Sequence, residues 1–112
     1  MSWLLREGSV LAAVERAPGA ALLRGRGDCH GAVVHPRPAL VHTAGLHAGV
    51  DVAFCGGDVD RDDGKLVVLG VTTLRPWRVA VPPWRTRTVI EAEAGAFARW
   101  SLGAGDQLEV RG

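Results

Sequence analysis

The sequence predicts a mainly β fold: a compact, jelly-roll-like sandwich or partly closed barrel of about seven short strands with two short helices. Apolar and polar residues alternate with a period of two along much of the chain, and Gly, Pro and Asp interrupt that alternation at short intervals. The chain has 112 residues, 47% of them apolar, which suits one domain with an ordinary core. We therefore expect a single domain over residues 1–112.

Seven segments carry the strand pattern. They are Val10–Val14, Gly31–His35, Leu40–Thr43, Val50–Phe54, Lys65–Thr73, Thr86–Glu93 and Gln107–Arg111. The clearest hairpin signal is Asp62-Asp63-Gly64, because Asp-Gly supplies the positive φ that a tight β-turn requires. Pro76 and Pro83 cannot donate to a β-ladder, so the stretch between them is predicted to be an edge or a loop.

Two short helices fit between the strands. Pro18 suits a first helical position, and Ala20–Arg24 continues the predicted helix. Phe97 and Trp100 lie three residues apart, which places them on one face of a helix predicted over Gly95–Leu102.

The charge and hydropathy of the sequence indicate which classes of partner and which cellular location to expect. The formal net charge is +1, so no overall positive field favours nucleic acid. The N-terminal stretch lacks the pattern of a signal peptide, and no segment has the ~20 apolar residues that span a bilayer. We expect a cytoplasmic protein without a nucleic-acid or membrane partner. Cys29 and Cys55 are too few for a disulfide framework, and we predict buried, inert thiols.

Four histidines and an aspartate lie close together in the sequence: His30, His35, His42, His47 and Asp51. A metal site needs three or four ligands that converge on one point, and this spacing matches no strand-based metal signature. We favour satisfied or surface histidines, with Asp51 accepting hydrogen bonds from backbone N–H groups at a turn. His35, His42 and His47 remain weak metal candidates, and no cofactor is predicted.

Two Pro-Trp-Arg units, Pro76-Trp77-Arg78 and Pro83-Trp84-Arg85, are the most distinctive motif. Tryptophan and arginine side by side on an edge or loop are typical of binding hot spots, and arginine can stack on the indole. In the alternative interpretation, the two tryptophans cap the ends of the core while the arginines extend into solvent.

A series of short motifs follows in order along the chain. The motifs are Gly31-Ala32-Val33-Val34, His42-Thr43, Gly49-Val50-Asp51-Val52-Ala53-Phe54, Asp63-Gly64-Lys65-Leu66-Val67-Val68, Pro76-Trp77-Arg78, Val89-Ile90-Glu91 with Gly95, and Gly105-Asp106. The series resembles the domain of unknown function 192 (DUF192, or UPF0127) family. Two positions depart from the family pattern: Leu40-Val41-His42 replaces a Trp-Met pair before the Thr, and Gly49 stands where Pro is usual. The resemblance implies an all-β, jelly-roll-like domain and implies no reaction.

Two functions stay open from the sequence. The favoured one is a non-enzymatic binding or interaction module, monomeric or homodimeric, for an unknown protein or a small polar ligand. The residues predicted to bind are His42, Thr43, Asp51, Trp77, Arg78, Trp84 and Arg85. The alternative is a small divalent-metal-dependent enzyme that uses the His30–Asp51 region; a purely structural role is a third possibility.

Overall fold

The computed structural model describes residues 2–16, 31–36 and 40–112, and nine strands and one helix lie in them. The strands are β1 Ser2–Arg6, β2 Ser9–Arg16, β3 Ala32–Pro36, β4 Val41–His42, β5 Val50–Gly56, β6 Lys65–Leu74, β7 Val79–Ala80, β8 Thr88–Glu93 and β9 Gln107–Arg111. The helix, α1, is the single turn Ala96–Arg99. The predicted mainly β fold is confirmed.

Seven of the strands close into a barrel in the order β1-β2-β3-β8-β5-β6-β9, and β9 pairs with β1 to complete the circle. All neighbours are antiparallel except β2 and β3. The period-two pattern in the sequence sets which side chains point inward. In β6, for example, Leu66 and Val68 are buried while Lys65 and Val67 are exposed.

The barrel wall is covered by apolar side chains on both faces along part of its circumference. The inner cluster comprises Leu4, Val14, Ala32, Val34, Ala53, Cys55, Val59, Leu66, Val68, Ile90, Ala92, Ala96, Phe97, Leu102 and Leu108. A second cluster comprises Val41, Leu46, Val50, Val52, Phe54, Leu74 and Val89. Because the second cluster joins wall residues of β5, β6 and β8 to residues of β4 and its loop, β5 is buried on both faces.

The predicted hairpin lies between β5 and β6. Asp63 has φ 55° and Gly64 has φ 75°, the left-handed conformation that the Asp-Gly pair indicated. A Cβ on Gly64 would lie 2.2 Å from the carbonyl oxygen of Val110, so any larger residue would push β9 away.

Three elements differ from the sequence prediction. β1 was not predicted, because the adjacent Leu4 and Leu5, both buried, break the alternation; opposite them the register shifts, with Leu11 of β2 as the extra residue. β7 was not predicted as a strand, and the stretch between Pro76 and Pro83 is the edge element that the prolines indicated. The second predicted helix is shorter, and the first, Ala20–Arg24, lies outside the described residues.

Candidate functional site

β4 and β7 form a two-stranded sheet of their own, which we call the ribbon. Val41 pairs with Ala80 and His42 with Val79. One step further along this antiparallel register, Leu40 faces Val81 across the ribbon. In the other direction Thr43 faces Arg78, and the Thr43 N–H donates to the Arg78 carbonyl oxygen at 2.9 Å. The ribbon therefore has two faces with alternating residues.

One face of the ribbon packs on the barrel. Val41 is buried in the second apolar cluster, and its cross-strand partner Ala80 packs against that cluster. Leu46, in the loop after β4, is buried in the same cluster. The barrel-side face is thus anchored by small and medium apolar side chains.

The opposite face of the ribbon is apolar although it is open to solvent. The exposed fractions are 42% for Leu40, 61% for Val79 and 75% for Val81. His42 shares this face, and its Nδ1 accepts a hydrogen bond from the Ala44 N–H at 3.2 Å. A two-stranded antiparallel sheet with one buried face normally carries polar residues on the other face, so this surface is unusual.

Trp77 and Trp84 are exposed to solvent, as are the apolar side chains on the ribbon's open face. Their exposed fractions are 69% and 86%. Trp77 adopts φ 60°, an uncommon conformation for a bulky residue, and its N–H donates to the Thr43 carbonyl oxygen at 3.0 Å. The Arg85 guanidinium lies 5.0 Å from the centre of the Trp84 ring. The tryptophans do not cap the core, which rules out the alternative interpretation of the motif.

Thr43 fixes the ribbon to the turn that carries Trp77. Its side chain is fully buried; the hydroxyl donates to the Arg75 carbonyl oxygen at 2.6 Å and accepts from the Arg78 N–H at 2.8 Å. Both roles of the hydroxyl are therefore used inside the protein. Thr43, predicted as a binding residue, acts here as an anchor.

Asp51 is a second buried anchor, at the start of α1. Its Oδ1 accepts from the Thr73 hydroxyl at 2.6 Å, and its Oδ2 accepts from the N–H groups of Gly95 and Phe97, both at 3.0 Å. The interpretation of Asp51 as an acceptor for backbone N–H groups is confirmed. The carboxylate is almost fully buried.

The arginines of the barrel and those of the segment 75–87 differ in whether they form ion pairs with acidic side chains. Four barrel-side arginines have acidic partners: Arg6 with Asp106, Arg16 with Asp60, Arg99 with Glu93 and Arg111 with Glu109. Four exposed arginines of the segment 75–87, Arg75, Arg78, Arg85 and Arg87, form no ion pair with any residue that the structure describes, and neither does Arg61 in the β5–β6 hairpin. No acidic residue occurs in the sequence between Asp63 and Glu91.

The metal candidates do not converge. His35 is buried in β3, His42 is on the ribbon and His47 is exposed in the loop after β4, while His30 lies outside the described residues. Within residues 2–16, 31–36 and 40–112, no three His, Cys, Asp or Glu side chains are arranged to hold a metal ion. Burial raises the pKa of the Cys55 thiol to about 12, as expected of an inert cysteine, and Cys29 is not among the described residues.

A buried pair that the sequence analysis did not identify joins β3 to β8. His35 Nε2 lies 3.4 Å from Glu91 Oε1, and both side chains are almost fully buried. Among the described residues, neither ring nitrogen of His35 has a hydrogen-bond partner, and neither does Glu91 Oε2. Burial raises the pKa of Glu91, and His35 partly opposes that rise. The signal in the sequence was a polar residue next to apolar ones in each strand: His35 after Val33-Val34, and Glu91 between Ile90 and Ala92.

A cleft of about 650 Å³ lies elsewhere, between the β1–β2 turn, the end of β5 and the start of β9. Its walls include Arg6 and Asp106, but these two bind each other at 3.2 Å. Further polar side chains, among them Glu7, Lys65 and Gln107, also line the cleft. In the part of the chain that the structure covers, no helix is both long and apolar enough to cross a membrane.

Solved structures with the same fold come from two bacteria. A Sinorhizobium meliloti protein described as a candidate transcription regulator superposes with a TM-score of 0.67 at 20% identity, covering 97% of this chain and 91% of that protein. A protein of unknown function from Novosphingobium aromaticivorans superposes with a TM-score of 0.63 at 16% identity, covering 96% and 82%. At these identities the likeness extends to the fold alone.

Sequence relatives are found in archaea, although no protein-family model matches the chain. A UPF0127 protein of Pyrococcus abyssi is 34% identical over 71 residues, which make up 63% of this chain and only 55% of that relative. A UPF0127 protein of Pyrococcus horikoshii is 32% identical over an 80-residue alignment, which covers 66% of this chain and 70% of the relative. Together with the ordered motifs and the β-rich fold, these similarities show that the chain belongs to the uncharacterised UPF0127 (DUF192) family.

Proposed function

We propose that the protein is a non-enzymatic binding module. Its working surface, which we call the ribbon surface, consists of the open face of the ribbon together with Trp77 and Trp84. The observation that carries the proposal is the large apolar exposure on a face whose reverse side is firmly packed on the barrel. Exposed apolar surface of this kind, bordered by polar residues, marks interaction sites.

The composition of the ribbon surface suits binding energetics. Tryptophan and arginine are enriched among the residues that dominate interfaces, and Trp77, Trp84 and Arg85 supply both types. Burying apolar area stabilises a complex by roughly 25 cal/mol per Å², so two tryptophans and three aliphatic side chains represent a large available gain. Arg78 and Arg85 lie next to the tryptophans in sequence and provide a charged border.

The ribbon surface is also held in place before a partner arrives. Thr43 ties the β4 end to the Arg75–Arg78 turn by two hydrogen bonds from one hydroxyl. The turn in which Trp77 is presented is therefore fixed by the protein itself. Pre-organisation of this kind reduces the ordering cost of association and so increases affinity.

The alternative, a metal-dependent enzyme, has no comparable support in the described part of the chain. The three histidines proposed as ligands lie in different environments, and His35 contacts Glu91 without a third ligand type nearby. No specific observation favours this function over binding.

The proposal is tested by capture with matched variants. Immobilised protein is used to recover partners from cell extract, each partner is then purified, and its dissociation constant is measured for wild type, Trp84→Ala and Trp3→Ala. Trp3 is an exposed tryptophan on β1 and serves as the control. We expect Trp84→Ala to weaken binding about 30-fold and Trp3→Ala to leave it unchanged. Equal affinity for wild type and Trp84→Ala would reject the ribbon surface as the working surface.

A further inference from the structure

We propose that the occupant of the ribbon surface is an acidic peptide segment of a partner protein, with apolar side chains interspersed among its Asp and Glu residues. This inference rests on the proposed function and adds the chemistry of the partner. Three observations carry it: the unpaired arginines, the aliphatic character of the open face, and the free edges of the ribbon.

Charge complementarity points to an anionic partner. Arg75, Arg78, Arg85 and Arg87 have no acidic partner among the described residues, whereas each of the four barrel-side arginines named above has one. The net charge of the whole chain, +1, conceals this segregation, because the acidic residues lie elsewhere in the sequence. A local positive field attracts a partner of opposite charge and increases its association rate.

The aliphatic open face favours a peptide over single-stranded nucleic acid. Nucleic acid binds such surfaces mainly by stacking bases on aromatic rings. Here Leu40, Val79 and Val81 provide area for apolar side chains and no ring for a base. One face of the Trp84 ring is already occupied by the Arg85 guanidinium. Only part of the surface would therefore be used by nucleic acid, while a peptide with apolar side chains could use all of it.

The free edges of the ribbon favour an extended peptide over a bilayer. Within the described residues, β4 pairs only with β7, so each strand has one neighbour and one open edge. An extended segment can pair with such an edge and place every second side chain on the open face. Val79 and Val81, two residues apart and both exposed, match that spacing. A membrane surface would make no use of the edge.

A second copy of the chain is a poor occupant for the same electrostatic reason. A two-fold symmetric interface brings the same patch of both subunits together. Four unpaired arginines would then face four others with no acidic residue of the patch between them. Such juxtaposition of like charges opposes association.

The inference is tested by selecting random displayed peptides of about a dozen residues against the wild-type protein. Enriched peptides are then measured against Arg78→Gln/Arg85→Gln and against Arg61→Gln. Arg61 is exposed in the β5–β6 hairpin and provides a charge-matched control away from the ribbon. We expect enrichment of Asp and Glu together with Leu, Ile, Phe or Trp, about tenfold weaker binding by the double variant, and wild-type affinity for Arg61→Gln. Binding should also weaken as salt is raised.

Several outcomes would overturn the inference. Enriched peptides without an acidic excess, or binding that is insensitive to Arg78→Gln/Arg85→Gln, would reject the acidic partner. So would Trp84-dependent binding of oligo(dT) or of phosphatidylserine vesicles with no acidic peptide enriched, or concentration-dependent dimerisation lost in Trp84→Ala. In each case the capture experiment with Trp84→Ala and Trp3→Ala still decides the proposed function separately, because it does not depend on the partner's charge.

Discussion

The barrel and the ribbon use the same residue types in opposite ways. In the barrel, four arginines are paired with carboxylates, and the carboxylate of Asp51 accepts three hydrogen bonds. In the segment 75–87, which includes β7 of the ribbon, four arginines have no ion pair with a described residue, and tryptophan and valine side chains are exposed. The polar interactions of the barrel stabilise the fold, whereas the open face of the ribbon contributes little to it. Residues that are left unsatisfied by their own fold are the ones available to a partner.

Apolar exposure alone does not distinguish the ribbon from the barrel. Val67, Leu69 and Val71 of β6 are also partly exposed, at 36–40%. They lie in the barrel wall, and no unpaired arginine cluster is found in the adjacent β5 or β9. What distinguishes the ribbon is the combination of greater exposure, tryptophan and unpaired positive charge. The substitutions below separate the two regions, from the largest expected effect to the smallest.

Removing the Asp51 carboxylate should damage the barrel most. In Asp51→Ala, the N–H groups of Gly95 and Phe97 and the Thr73 hydroxyl lose their acceptor. Hydrogen bonds to a charged group contribute more than neutral ones, and we expect the free energy of unfolding to fall by about 3 kcal/mol. Urea unfolding followed by circular dichroism measures the loss.

Asp51→Asn is the matched control. Its amide oxygen can still accept from the two backbone N–H groups while its NH₂ donates to the Thr73 oxygen, so we expect a loss of only about 1 kcal/mol. Losses of equal size for the two variants would mean that the negative charge, and not the acceptor geometry, stabilises this junction.

The Thr43 hydroxyl joins the two regions, and its removal should have an intermediate effect. Thr43→Val keeps the shape but leaves the Arg78 N–H and the Arg75 carbonyl oxygen without their partner. We expect a loss of about 1–2 kcal/mol in local stability, seen as faster hydrogen exchange at Arg78. Thr43→Ser, which retains the hydroxyl, should exchange at nearly the wild-type rate. Unchanged exchange in Thr43→Val would show that the ribbon does not depend on this anchor.

The overall fold could be predicted from the sequence because the alternation of apolar residues and the Asp63-Gly64 turn depend on neighbours in the chain. The ribbon was only half predicted: Pro76 and Pro83 indicated an edge, but β7 has two residues, too few for a period to be recognised. The contact between His35 and Glu91 forms only because β3 and β8 become adjacent strands in the barrel wall. No local pattern carries that information, because β3 and β8 are far apart in sequence.

Of the residues predicted to bind, the structure exposes Trp77, Arg78, Trp84 and Arg85 and places His42 on the ribbon's open face. The other two, Thr43 and Asp51, are buried and make hydrogen bonds inside the protein, and their role in binding stays a prediction. A buried polar residue and a ligand-binding one give the same signal in a single sequence, a polar side chain beside an apolar run. Only the hydrogen-bond partners distinguish them.

The Glu91 carboxyl should make the free energy of unfolding depend on pH, and Glu91→Gln should remove that dependence. Burial raises the pKa of Glu91 above its ordinary value of 4.5, so the folded state binds this proton more tightly than the unfolded state does. Stability from this group is fully present below pH 4.5 and is lost as pH rises through the raised pKa. Glu91→Gln should therefore gain stability relative to wild type over that window, measured by urea unfolding at a series of pH values.

His35 provides the companion test. Because His35 lowers the pKa of Glu91, His35→Gln should raise that pKa further and extend the window of declining stability to higher pH. A variant whose stability falls over the same window as wild type would show that the two side chains are not coupled. A relative gain for Glu91→Gln that appears only below pH 4.5 would contradict the direction assigned to burial.

The smallest effect on stability is expected at the two tryptophans, where the effect on binding should be largest. Trp84→Ala removes a side chain that is 86% exposed, and Trp77→Asn places at φ 60° a residue that tolerates positive φ. Each should change the free energy of unfolding by no more than about 0.5 kcal/mol, while weakening partner binding by about tenfold or more. Asp51→Ala should give the reverse pattern, because it affects the barrel and leaves the ribbon surface intact. If a tryptophan variant instead lost stability and binding together, the ribbon would be part of the fold's stabilising core, and the distinction between the two regions would fail.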